Sequence, residues 1–137
     1  MSLEKYQHQA ERWLQQAQAD LGAAENSLAA GNHDWACFQS QQAGEKALKA
    51  VWLFHALDPW GHSLVKLIED LPEEAIRAPL FAYLSHAKRL DKLYILTRYP
   101  NGLPDSIPAE VYTKEEADEA IRTARELVSA ISRMITA

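Results

Sequence analysis

The sequence predicts an all-α fold, an up-and-down bundle of about five helices with a long proline-containing loop before the last one. Three observations predict it. Apolar residues recur at three- and four-residue steps through most of the 137 positions, no stretch alternates with period two, and Gly and Pro punctuate the sequence only sparsely.

The first helix runs from roughly Leu3 to Ala30. Tyr6, Ala10, Trp13, Leu14, Ala17, Leu21, Ala24 and Leu28 form one apolar face. Gly31 follows as a C-terminal cap, and Asn32 or Asp34 can open the next helix. The second helix spans about Asp34 to Leu57, with apolar residues on several sides, as expected of a central helix. Asp58-Pro59 is expected to end it, because proline disfavours helix in the residue before it. His62-Ser63 opens a short third helix, Leu64 to Leu71. Pro72 starts a fourth element as a first-turn proline, with Glu73 and Glu74 near the positive helix end, and Pro79 kinks or restarts it on its way to about Tyr94. Thr97 to Tyr112 carries Pro100, Asn101-Gly102, Pro104 and Pro108 and reads as a loop of about sixteen residues, a length typical of binding elements. Thr113-Lys114-Glu115-Glu116 is a capping box that opens the last helix.

One domain, residues 1–137, is expected from this length, which buries a core without staples. Hydrophobic residues make up 47 % and charged residues 24 %, so disorder is excluded. No apolar run is long enough to span a bilayer, and the N-terminus has no signal-like apolar core. Cys37 is the single cysteine, which forbids an internal disulfide and suits a cytoplasmic setting. Its expected place is the core. The formal net charge of −5 argues against indiscriminate coating of RNA or DNA, while leaving room for a local basic site.

The chemistry expected to be absent narrows the function. None of the five glycines belongs to a phosphate loop or dinucleotide fingerprint, and no nucleophile elbow exists. His8, His33, His55, His62 and His86 lack the helical spacing of a zinc site, so neither a metal nor a cofactor is expected. His62 reads most simply as a helix-start residue.

Two stretches remain. In Ser40-Gln41-Gln42-Ala43-Gly44-Glu45-Lys46-Ala47-Leu48-Lys49, polar groups interrupt an apolar helix. Gln41, Glu45 and Lys49 share one face, and Gln42 and Lys46 the next. This is either a solvated stripe with a weak Glu45–Lys49 pair, or a polar cleft between helices or subunits. In residues 88–100, four cations (Lys88, Arg89, Lys92, Arg98) accompany Tyr94 and Tyr99. Cations beside aromatic faces hold phosphate and stack a base; the plainer alternative is that the lysines face solvent, Tyr94 is core and Arg98 braces the loop.

These stretches also carry a resemblance. Trp13 to Leu21, Asp34-Trp35-Ala36-Cys37-Phe38, Gln41-Gln42-Ala43-Gly44-Glu45-Lys46-Ala47-Leu48-Lys49-Ala50, Gly61-His62-Ser63-Leu64, Leu90-Asp91-Lys92-Leu93-Tyr94 and Thr97-Arg98-Tyr99-Pro100 resemble the HEPN domain in order and spacing, over nearly the whole chain. The resemblance implies a homodimerising helical bundle, often encoded beside a minimal nucleotidyltransferase in toxin–antitoxin pairs, with nucleotide binding or ribonuclease activity in some members. The family's ribonuclease motif is Arg-x(4–6)-His on a late helix. No histidine follows His86, so Arg89, Arg98, Arg122 and Arg125 have no such partner downstream.

The leading expectation is therefore a non-catalytic module that binds a nucleotide or a nucleotidyltransferase. Lys46, Lys92 and Arg98 are the expected phosphate ligands, Tyr99 the stacking residue, and Gln42 the group orienting base or ribose. A ribonuclease toxin with a non-standard active site and a helical dimerisation adaptor are the alternatives.

Overall fold

A computed structural model describes residues 1–135; the expected domain also takes in residues 136–137, which lie outside that range. The described residues form helices joined by turns and irregular segments, with no strand among them. α1 (Leu3–Ala29) and α2 (His33–Phe54) form a long helical hairpin, and α7 (Lys114–Ile135) lies along both. α3 (Leu64–Glu69), α4 (Glu74–Leu80) and α5 (Leu84–Asp91) close the far side, and a single-turn α6 (Pro108–Val111) precedes α7. Leu48, Leu64, Ile68, Leu90, Leu127 and Ile131 are fully buried together at the centre. Cys37 lies in a smaller cluster with Ala24, Ala36, Ala117 and Ile121.

The α1–α2 turn follows directly from Gly31. Its φ of +82° is the left-handed conformation that glycine tolerates, and Gly31 N–H and Asn32 N–H donate back to the Leu28 and Ser27 carbonyls. Asn32 sits at the N-cap position of α2, but its side chain makes no capping bond.

α2 ends earlier than the proline predicts. Ala56 adopts φ +59°, and the Ala56 and Leu57 amides bond the Leu53 and Trp52 carbonyls. The same left-handed cap thus closes α2 without glycine, three residues before Pro59. Pro72 is also displaced, because Glu73 occupies the N-cap of α4 and the proline precedes it. Pro79 stays inside α4, and a 3-10 turn over Phe81–Tyr83 leads into α5. α5 stops at Asp91, and residues 92–98 continue as turns. The expected loop contains a 3-10 turn at Pro100–Gly102 as well as α6.

Gly44 explains how α2 can be central. A Cβ there would lie 2.7 Å from Leu64 Cδ2 and 2.9 Å from Leu90 Cδ1, so its absence lets α3 and α5 close onto α2. The capping box forms as expected: Glu116 N–H donates to Thr113 Oγ1 and Thr113 N–H to Glu116 Oε1, both at 3.1 Å.

Candidate functional site

The polar face of α2 is not a solvated stripe. Gln41, Glu45 and Lys49 are only 0 %, 4 % and 9 % exposed. A group as costly to bury as a carboxylate needs partners, and Glu45 has three. Lys49 Nζ donates to its Oε2 at 3.1 Å, Gln41 Nε2 donates to its Oε1 at 3.2 Å, and His62 Nδ1 lies 3.4 Å from Oε2. Gln42 Nε2 donates to Gln41 Oε1, extending the chain outward. The Lys49 ammonium also lies 5.8 Å from the Trp13 ring centroid.

His62 links this network to the second stretch. Its ring stacks on Tyr94, with centroids 4.8 Å apart and planes 18° from parallel. Arg98 lies over the same tyrosine at 4.8 Å, over Phe38 at 4.3 Å and over Tyr99 at 5.2 Å. Its Nε–H donates to the Tyr94 carbonyl, while buried Thr97 donates to the Leu93 carbonyl and holds the turn closed. Among the described residues no carboxylate pairs with Arg98. Tyr99 and Trp35 are about half exposed, so the cluster reaches the surface.

The position of His62 depends on Asp91, the last residue of α5. The Asp91 carboxylate accepts from Leu64 N–H at 2.6 Å, Val65 N–H at 3.1 Å and Ser63 Oγ at 3.0 Å. Ser63 Oγ in turn accepts from Lys66 N–H. The first-turn amides of α3 are thereby satisfied, partly by a residue 27 positions away.

Of the five residues singled out from the sequence, Arg98 and Tyr99 lie together, and Gln42 joins them through Gln41, Glu45 and His62. Lys46 points elsewhere: its Nζ pairs with Asp20 of α1 at 2.6 Å beside a groove lined by Arg12, Trp13 and Gln16. Lys92 lines a separate cleft between α5 and α7. Phe38, Glu45, His62 and Tyr94 complete the cluster. Glu45 stands in the polar stretch of α2 singled out from the sequence, and His62 reads there as a helix-start residue; their contact carried no sequence signal, since it depends on a fold that joins residues 17 positions apart.

Burial, with Glu116 and Asp34 nearby, pushes the Cys37 thiol up to about 12, so it remains protonated and inert as a nucleophile. Burial also raises the Tyr112 hydroxyl, and Cys37 adds to the effect. On the outer face of α7, His86 Nε2 lies 2.7 Å from Glu126 Oε2, a hydrogen bond that holds that carboxylate below its usual range.

A known family model, that of the HEPN domain, matches residues 10–134, a span that holds both the Gln41–Glu45 network and Thr97-Arg98-Tyr99. The chain belongs to the HEPN family. The HEPN fold here resembles the crystal structure of TT1696 from Thermus thermophilus, with a TM-score of 0.83, 40 % identity, and coverage of 90 % of this chain and 96 % of that one. It also resembles ST0689, an archaeal HEPN homologue, with a TM-score of 0.77, 34 % identity, and coverage of 93 % and 98 %. In sequence it is 25 % identical over 129 residues to MJ1304 of Methanocaldococcus jannaschii, which is named as a candidate toxin; the match covers 89 % of this chain and 85 % of that protein.

Proposed function

We propose that this HEPN chain is a nucleotide-binding module acting with a nucleotidyltransferase in a toxin-type pair, and that the Arg98 cluster is its binding surface. One observation carries the reading: Arg98 is a guanidinium framed by three aromatic rings and left without a carboxylate. Phosphate is the natural partner of such a group, because the guanidinium fork donates two parallel charge-assisted hydrogen bonds. The half-exposed Tyr99 offers a stacking face, worth roughly 1–3 kcal/mol per base. Gln42, at the outer end of the Glu45 network, supplies an amide for the base or ribose. The name of the M. jannaschii relative supports the toxin-type setting.

Thermal unfolding with a panel of nucleoside di- and triphosphates tests this. A ligand at ~100 times its dissociation constant adds about 2.7 kcal/mol to the folded state. Arg98→Ala should abolish the rise in midpoint, and Arg98→Lys should recover it only in part. A rise of equal size in wild type and Arg98→Ala would refute the site.

A second reading, a ribonuclease with a non-standard active site, has its own observation. His62 reaches Arg98 through the shared Tyr94 ring, although it precedes Arg98 by 36 residues and so cannot form the family motif. RNA fragmentation lost on His62→Gln would favour it; intact RNA across the near-neutral range would count against it.

A further inference from the structure

The cleft that receives Lys92 shares no residue with the Arg98 cluster. It encloses about 310 Å³ between α5 and α7 and is floored by Leu90, Leu93 and Ala120. Its two lips carry opposite charge: Arg89 and Lys92 stand on the α5 side, Glu116 and Glu119 on the α7 side. Among the described residues no ion pair joins them across the opening. Glu116 is engaged in the capping box, which leaves Glu119 as the available acid.

A second feature points to an occupant. Thr123 is 3 % exposed and lines this cleft; its hydroxyl makes no side-chain hydrogen bond among the described residues and is not sealed in the core, so it is open to the cleft. Helical threonines commonly bond the carbonyl one turn back, whereas this hydroxyl is left available to whatever fills the cleft. A ligand in the cleft would supply a partner.

We infer that the α5–α7 cleft is a binding site for a small zwitterion with an apolar body, an amino acid in chemical class. The anionic end meets Arg89 and Lys92, the cationic end meets Glu119, and the apolar part lies on the leucines, within reach of Thr123. The volume is at the lower end of ligand sites, which suits a molecule of this size rather than a nucleotide. The acidic lip also opposes a phosphate chain. This site stands independently of the nucleotide reading.

The test is a titration of the ¹⁵N-labelled full chain, followed by backbone amide shifts. The probes are L-phenylalanine and L-leucine, then N-acetyl-L-phenylalanine, which keeps only the anion, and L-phenylalaninamide, which keeps only the cation. Both zwitterions should shift amides around Leu93 and Ala120, and each singly charged analogue should bind about tenfold or more weakly. Lys92→Ala and Glu119→Ala, both at exposed positions, should each weaken the zwitterion by a similar factor, and Thr123→Val by a few-fold. The inference is overturned if neither zwitterion shifts these amides, if the analogues bind as well as the zwitterions, or if the lip variants bind unchanged. Repeating the titration on Arg98→Ala, where binding should persist, separates this site from the Arg98 cluster.

Discussion

Replacing Asp91 with alanine is expected to loosen both the fold and the candidate site. The carboxylate accepts three hydrogen bonds from the start of α3, two of them from backbone amides at 2.6 and 3.1 Å. A hydrogen bond to a charged group contributes roughly 1.5–3 kcal/mol, and loss of an N-cap costs about 1 kcal/mol. The site is only partly buried, so water recovers some of the loss, and the three bonds share one group and do not add fully. Asp91→Ala should therefore cost about 2–4 kcal/mol. For a chain of this size that lowers the thermal midpoint by roughly 10 °C. Asp91→Asn keeps one acceptor oxygen but loses the charge favoured at a helix N-terminus, and should cost about half as much. Urea denaturation followed by helical circular dichroism, with the slope of the transition unchanged, measures both. A cost below about 0.5 kcal/mol for alanine, or equal costs for alanine and asparagine, would refute the idea that Asp91 ties α5 to α3.

Three further outcomes follow from the same geometry. Ala56→Gly should stabilise the protein by about 0.5–1 kcal/mol, because the exposed alanine holds a left-handed φ of +59° that glycine adopts freely; a destabilised variant in the same urea assay would contradict that cap. Glu45→Ala should cost roughly 3–5 kcal/mol by stranding the buried Lys49 ammonium, whereas Glu45→Met with Lys49→Met should recover much of it; a double variant no better than the single one would argue against a stranded charge. The Cys37 thiol is raised from 9.0 to about 12 by burial, so its contribution to stability is complete below pH 9 and falls as pH rises through this window. The slope from this group is at most about 1.4 kcal/mol per pH unit, and unfolding free energies of wild type and Cys37→Ala above pH 9 should diverge accordingly.

The local sequence specified much of the fold because helix formation and capping are short-range. The apolar steps of α1 and α7, Gly31 and the Thr113–Glu116 box each rest on contacts within a few residues. The end of α2 was misplaced for the same reason: Pro59 is a strong local signal, while an alanine in a left-handed cap is silent in the sequence. Arg98 and Tyr99 were legible because they adjoin each other and Tyr94 lies one helical turn back. Lys46 and Lys92 carried the same charge signal, yet tertiary packing turned one toward Asp20 and the other into the α5–α7 cleft. Whether Gln41, Glu45 and Lys49 faced water or neighbours depended on the groups that packing brings over them, His62 beside Glu45 and Trp13 beside Lys49. His62 joined Glu45 and Tyr94 because Asp91 reaches across to fix the start of α3. By itself the sequence determined which segments are helical and where the cation–aromatic chemistry lies, since both are written in neighbouring residues. Tertiary structure alone decided which of those groups meet, because that depends on the burial of surfaces contributed by distant parts of the chain.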